Sequence, residues 1–143
     1  MSVSIRVENT QAVAEALRKY GKDAEREIGK AVDKAALTIN GDVKRMIQRG
    51  PKTGTIYNSR GKQHRASAPG QAPATDTGTL VSSVYYTKIN PLTAEVGSRL
   101  DYAKYLEFGT MNIAPRPSWM PATEAVRPKF DRWIEDALRK AAR

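Results

Sequence analysis

Val13, Leu17, Tyr20, Ala24, Ile28, Val32, Ala35, Ile39, Val43 and Met46 follow one another at spacings of three or four residues. That period winds them onto one stripe of an α-helix. The opposite face carries Glu15, Arg18, Lys19, Lys22, Glu25, Arg26, Lys30, Lys34 and Lys44. A single helix from Thr10 to Gln48 would run roughly 58 Å, longer than a small domain is wide. Bends are therefore expected at Gly21, Gly29 and Gly41, because glycine in a helix interior costs about 1 kcal/mol relative to alanine. A stripe of this kind covers either the domain's own sheet or a neighbouring molecule. Covering its own sheet is the expectation for most of its length, with any overhanging end free to reach a neighbour.

The remaining elements supply that sheet. Val3–Val7 alternates apolar and polar as a half-buried strand does. Leu80–Ile89 is rich in β-branched and aromatic residues, Asn90-Pro91-Leu92 marks a turn, and Thr93–Ser98 resumes an extended pattern, so a β-hairpin is predicted. Tyr102, Tyr105, Leu106 and Phe108 fall at helical spacing, predicting a short helix over 101–108 closed by Gly109 in the left-handed conformation. Pro115 and Pro117 impose an extended path. A second long helix follows from Pro121, carried by Ala122, Val126, Phe130, Trp133, Ile134, Ala137 and Leu138 and kinked or restarted at Pro128. The fold class expected is α+β: a small antiparallel sheet packed against a long N-terminal helix and a C-terminal helix. The 143 residues form one domain's worth of chain, 1–143, with 50–76 as a flexible basic loop or arm.

Most of the charge excess sits in the stretch made of that loop and the end of the helix before it. The chain carries a formal +9, and no acidic residue lies between Asp42 and Asp76, where Lys44, Arg45, Arg49, Lys52, Arg60, Lys62 and Arg65 stand. Gly50-Pro51 ends the first helix, and the polar, Gly- and Pro-rich run to Thr75 cannot fill a core. Lys52, Arg60, Lys62 and Arg65, with Tyr57 and His64 among them, suit a phosphate backbone with a stacking contact, or an acidic protein surface.

Chemistry is poorly provided for. There is no cysteine and only one histidine, His64, which excludes thiol catalysis, disulfides and His- or Cys-based metal centres. No cofactor site is expected. Asp76-Thr77-Gly78 matches the short aspartic-protease signature, but it occurs once and follows Ala-Pro-Ala-Thr rather than an apolar strand, so it reads as a turn. Gly50-Pro-Lys-Thr-Gly lacks the first glycine of a phosphate loop. Glu107 has no second carboxylate or histidine near it in sequence, and its expected role is to bind backbone amides or an arginine such as Arg116. No run approaches the ~18 apolar residues of a membrane span or the shorter core of a signal peptide.

The stretch from Asp101 to Ala122 concentrates two of the six Tyr, one of the two Phe and one of the two Trp around Gly109 and three prolines. Its segments Tyr102-Ala-Lys-Tyr-Leu-Glu-Phe-Gly-Thr110, Ala114-Pro-Arg-Pro117 and Met120-Pro-Ala122, with Val96-Gly-Ser98 before them and 66–80 and Ser83-Val84 upstream, resemble the tail-component proteins of lambdoid long-tailed bacteriophages and prophages. These are the neck, tail-completion or head–tail joining proteins. The resemblance extends over nearly the whole chain. It implies a non-enzymatic virion protein, made in the bacterial host cytoplasm and placed at the head–tail junction or proximal tail end. Partners so implied are further copies in a ring, by tail symmetry a hexamer, other neck, connector or tail-terminator proteins, and DNA in the channel. Lys52, Tyr57, Arg60, Lys62 and Arg65 are the candidate partner or DNA contacts. Tyr102, Tyr105, Glu107, Phe108, Gly109, Pro117 and Pro121 form the expected structural hub. On that division Phe108→Ala should cost about 3–5 kcal/mol and prevent folding or assembly, and Lys62→Ala should leave the fold intact. The alternative reading is a basic nucleic-acid-binding domain.

Overall fold

A computed structural model describes residues 3–8, 11, 13, 18, 21–75 and 77–143. The elements in chain order are β1 (Ser4–Glu8), α1 (Lys22–Arg49), β2 (Ile56–Ser59), β3 (Lys62–Arg65), α2 (Thr79–Ser83), β4 (Val84–Asn90), β5 (Thr93–Ser98), α3 (Tyr102–Phe108) and α4 (Trp119–Ala141). The fold is α+β. β1, β5 and β4 form an antiparallel sheet in that order, with Ile5 opposite Val96 and Val96 opposite Tyr86. The alternation of β1 places Val3, Ile5 and Val7 on the face that meets α1.

The stripe on α1 is the centre of the core. Ala24, Ile28, Val32, Ala35, Ile39 and Val43 are buried, and Ala31, Ala36 and Ile47 widen the buried surface so that it meets both the sheet and α4. Each fully buried Ile or Val of this kind contributes ~1.5–3 kcal/mol. The two long helices run antiparallel, with Ile47 near Trp119 at one end and Ala31 near Ala137 at the other. Asp33 ties the sheet to the helix, since Tyr86 Oη donates to Asp33 Oδ1 at 2.8 Å and Lys88 Nζ to Oδ2 at 2.7 Å.

The glycines of the stripe divide by role. Gly21 interrupts the helix, with φ +70° at the N-cap of α1. Gln11, Val13 and Arg18 before it are helical, and Leu17 and Tyr20 lie outside the described residues. At Gly29 and Gly41 the helix continues uninterrupted. Gly29 answers to packing: a Cβ there would stand 2.6 Å from the carbonyl oxygen of Pro91, so the β4–β5 turn rests directly on the helix backbone.

Three local expectations change. Leu80–Ser83 belongs to the short helix α2, and the strand begins only at Val84. Ser83 Oγ and Ser98 Oγ hydrogen-bond at 2.6 Å across this junction, while Leu80 is buried in the core. Gly109 has φ +75° but ψ 176°, an extended exit rather than the left-handed one. Helix α4 passes through Pro128 without a break.

Within residues 50–75, the span expected as a flexible loop or arm, a short hairpin and a set of hydrogen bonds are present. β2 and β3 pair as a hairpin whose two-residue turn, Arg60-Gly61, has positive φ at both positions, the mirror-image geometry that matches strand twist. Gln71 stitches the root: its Oε1 accepts from the N–H groups of Thr53 and Ala68, and its amide donates to Thr53 Oγ1.

Candidate interaction surface

Glu107 is the most constrained residue of the aromatic stretch. Its side chain is 5% exposed, and its carboxylate accepts from the backbone N–H groups of Ser118 at 2.8 Å, Trp119 at 3.1 Å and Met120 at 2.7 Å. These are the first orphan donors of α4. An anion at a helix N-terminus also complements the helix dipole. Of the fates expected for this glutamate, backbone capture is the one adopted. Arg116 is used elsewhere: its Nε donates to the carbonyl of Ser67 at 3.3 Å and its own N–H to Leu106 O at 2.6 Å. Pro117 is half-buried at the end of this segment, and Pro121 lies exposed in the first turn of α4.

The aromatic residues of α3 face away from the core, whereas Trp119 beside Glu107 is buried. On α3, Ala103 and Glu107 face inward, which turns Tyr102, Tyr105 and Phe108 outward, at 45%, 47% and 62% exposure. The turn after Gly109 adds Met111, fully exposed, and Ile113, and the first turn of α4 adds Met120. The expectation that Phe108 is a buried anchor is therefore corrected: helical spacing identified the face correctly but assigned it to the core, and a residue of this exposure has little buried surface to lose. Gly109 is fixed by crowding as well as φ, because a Cβ would meet Ile113 O at 2.7 Å and Pro115 Cδ at 2.9 Å.

Beside α3 lies a cleft of about 460 Å³ whose apolar wall includes Tyr57, Pro73, Leu80, Tyr102, Leu106 and Ile113. It joins the aromatic stretch to the root of the hairpin. Tyr57 reaches it from β2 while stacking on its cross-strand partner His64, with ring centroids 5.8 Å apart.

The basic candidates separate. Arg60, Lys62 and Arg65 are exposed on the hairpin. Lys52 is half-buried and used internally: its Nζ donates to Met46 O at 3.0 Å and Ala72 O at 3.1 Å, closing the C-terminus of α1. Burial lowers its pKa from the usual lysine value. Sequence reasoning counted it with the hairpin cations because the chain reversal that brings Ala72 back to α1 has no local signal.

Of the catalytic motifs considered, Asp76 lies outside the described residues, and Thr75 Oγ1 accepts from the N–H of Gly78 in a local turn. Among the described residues no group of three or more His, Asp or Glu could hold a metal ion, and no helix is long and apolar enough to cross a membrane.

A family model described as "Bacteriophage HK97-gp10, putative tail-component" matches residues 11–109. No curated protein and no solved structure matches the chain. The matched span includes the hairpin, the cleft's wall except Ile113 and Arg116, and α3 through Gly109; Ala114–Pro117 and Met120–Ala122, which carried part of the resemblance, lie beyond it. With well over half of its residues matched, the chain belongs to the HK97-gp10-like family of bacteriophage tail-component proteins.

Proposed function

We propose that this protein is a structural component of a tailed-phage virion that sits at the head–tail junction or the proximal end of the tail and acts in tail completion and head–tail joining. The family match over residues 11–109 carries this reading. The outward-facing aromatic residues next to the cleft support a role executed through contacts rather than chemistry. Its partners are further copies of itself, in a ring of six by tail symmetry, and neck, connector or tail-terminator proteins. The decisive experiment is removal of the gene from a phage or prophage that encodes it. Particles with unjoined heads and tails, restored by the gene in trans, are the expected result. Normal infectious particles from the deletion, together with absence of the protein from purified virions, would overturn the reading.

A nucleic-acid role is a second reading, favoured by one observation: Arg60, Lys62 and Arg65 are exposed on a hairpin without a carboxylate of its own. Retention on duplex DNA that weakens steeply with salt would support it. No retention at about 0.1 M salt would remove it.

A further inference from the structure

We infer that the face formed by α3 and the turn after it is a self-association surface, in which Phe108 and Met111 of one copy insert into the cleft beside α3 of a second copy. The inference deepens the tail-component reading by naming the partner of this surface.

The amount and placement of exposed apolar surface lead to it. Tyr102, Tyr105, Phe108, Met111, Ile113 and Met120 are all between 42% and fully exposed and occur within one short stretch of chain. Taking ~150–250 Å² for a large side chain, these six present roughly 700 Å², close to the ~800 Å² that each partner contributes to a standard interface. Hydrogen bonds also hold the parts of this stretch near one another. Met120 N–H is bonded to Glu107 at the end of α3, and Thr110 N–H donates to Ile113 O at 2.8 Å, which folds the turn back on itself and leaves Met111 at its tip.

The same face offers both a projection and a receptacle. Phe108 and Met111 project, whereas Leu80, Leu106, Ile113 and Tyr102 line an open cleft of about 460 Å³. A second copy of the chain supplies the matching projection without any further protein. Its charge gives the contact a recognisable signature. The flanking cations Lys104 and Arg116 and the hairpin cations repeat on both copies, and each chain carries +9. Added salt therefore screens repulsion and strengthens association, the opposite of its effect on a phosphate contact.

The test is sedimentation velocity of the full chain over about 2–200 µM, at about 0.05 and about 0.5 M NaCl. The expected result is a discrete oligomer that grows with concentration and forms several-fold more tightly at the higher salt. Phe108→Ser with Met111→Ser should weaken it at least tenfold while leaving the thermal melt unchanged, since both side chains are exposed. Ala74 lines the cleft, and Ala74→Trp, which fills it, should weaken association to the same extent. An equimolar mixture of the two variants should recover a complex, because one supplies the projection and the other the open cleft. A wild-type chain that stays monomeric throughout overturns the inference, as does association that survives Phe108→Ser with Met111→Ser or a mixture that fails to recover. Monomers that sediment with phosphatidylglycerol vesicles would reassign the face to an anionic membrane surface. A monomeric chain still found in purified virions would overturn the inference and leave the tail-component reading standing, so the two fail separately.

Discussion

Glu107 and Pro121 between them leave the N-terminus of the last helix with no orphan donor. The carboxylate accepts the N–H groups of Ser118, Trp119 and Met120, and the fourth position is a proline, which has no N–H to satisfy. Replacing Glu107 by Ala should cost about 3–5 kcal/mol, because three buried or half-buried donors lose their partner together. Glu107→Gln should cost less, about 1–3 kcal/mol, since one amide oxygen can still accept but the charge at the helix N-terminus is gone. Phe108→Ala, by contrast, should change stability by less than about 1 kcal/mol. Urea titrations of the three variants check the order, and equal losses for Glu107→Ala and Phe108→Ala would refute it.

Gly29 and Gly41 occupy the same helix, and alanine should move stability in opposite directions at the two. At Gly41 a Cβ meets nothing within 4 Å, so Gly41→Ala should gain up to about 1 kcal/mol from helix propensity and a less flexible unfolded chain. At Gly29 a Cβ would meet Pro91 O at 2.6 Å, a backbone atom that can yield only by lifting the β4–β5 turn off the helix. A net loss of about 1–3 kcal/mol is expected there. Thermal melts of the two single variants give the signs directly.

What the sequence made legible follows the strength of its periodic signals. The stripe from Ala24 to Val43, the alternation in Val3–Val7 and the pattern from Ala122 to Leu138 each bury one face of one element, and the two long helices and the sheet follow from them. The β2–β3 hairpin had no such signal. Each of its strands is only four residues long, Ile56 and Tyr57 are adjacent rather than alternating with polar residues, β3 is polar throughout, and the turn is Arg-Gly rather than Asn-Gly or Asp-Gly. Phe108 and Tyr105 were misplaced for the complementary reason: periodicity says which residues share a face, not whether that face meets the core or a partner. Lys52 owes its role to contacts with Met46 and Ala72, and the latter stands 20 residues away.

Alkaline pH should expose the link between β4 and α1. Burial first, then the hydrogen bond to Asp33 and that carboxylate's charge, raise the Tyr86 hydroxyl above its usual value near 10. The folded state then keeps a proton that the unfolded chain releases. The stabilisation is complete below about pH 10 and is lost as pH climbs through the folded value. Tyr85 is shifted the same way, by burial and by its bond to Glu95. Tyr86→Phe should therefore flatten the decline of the urea midpoint above about pH 10, and Tyr86→Phe with Tyr85→Phe should flatten it further. A decline unchanged in both variants would assign it to other groups.

Lys52 and the hairpin cations should part company under substitution, although they stand in one acid-free run. Lys52→Ala removes two hydrogen bonds to the carbonyls of Met46 and Ala72 and leaves the C-terminus of α1 without its closing charge. A loss of about 1–3 kcal/mol is expected, tempered by the desolvation that the ammonium no longer suffers. Arg60, Lys62 and Arg65 are exposed, so replacing all three by Ser should alter stability by less than about 1 kcal/mol. If the hairpin meets DNA, the same triple replacement should lower the slope of log affinity against log salt by about 2–3, and Lys52→Met should leave that slope unchanged. Equilibrium binding to a duplex at several salt concentrations, alongside urea titrations of each variant, separates a residue that holds the fold from residues that face a partner.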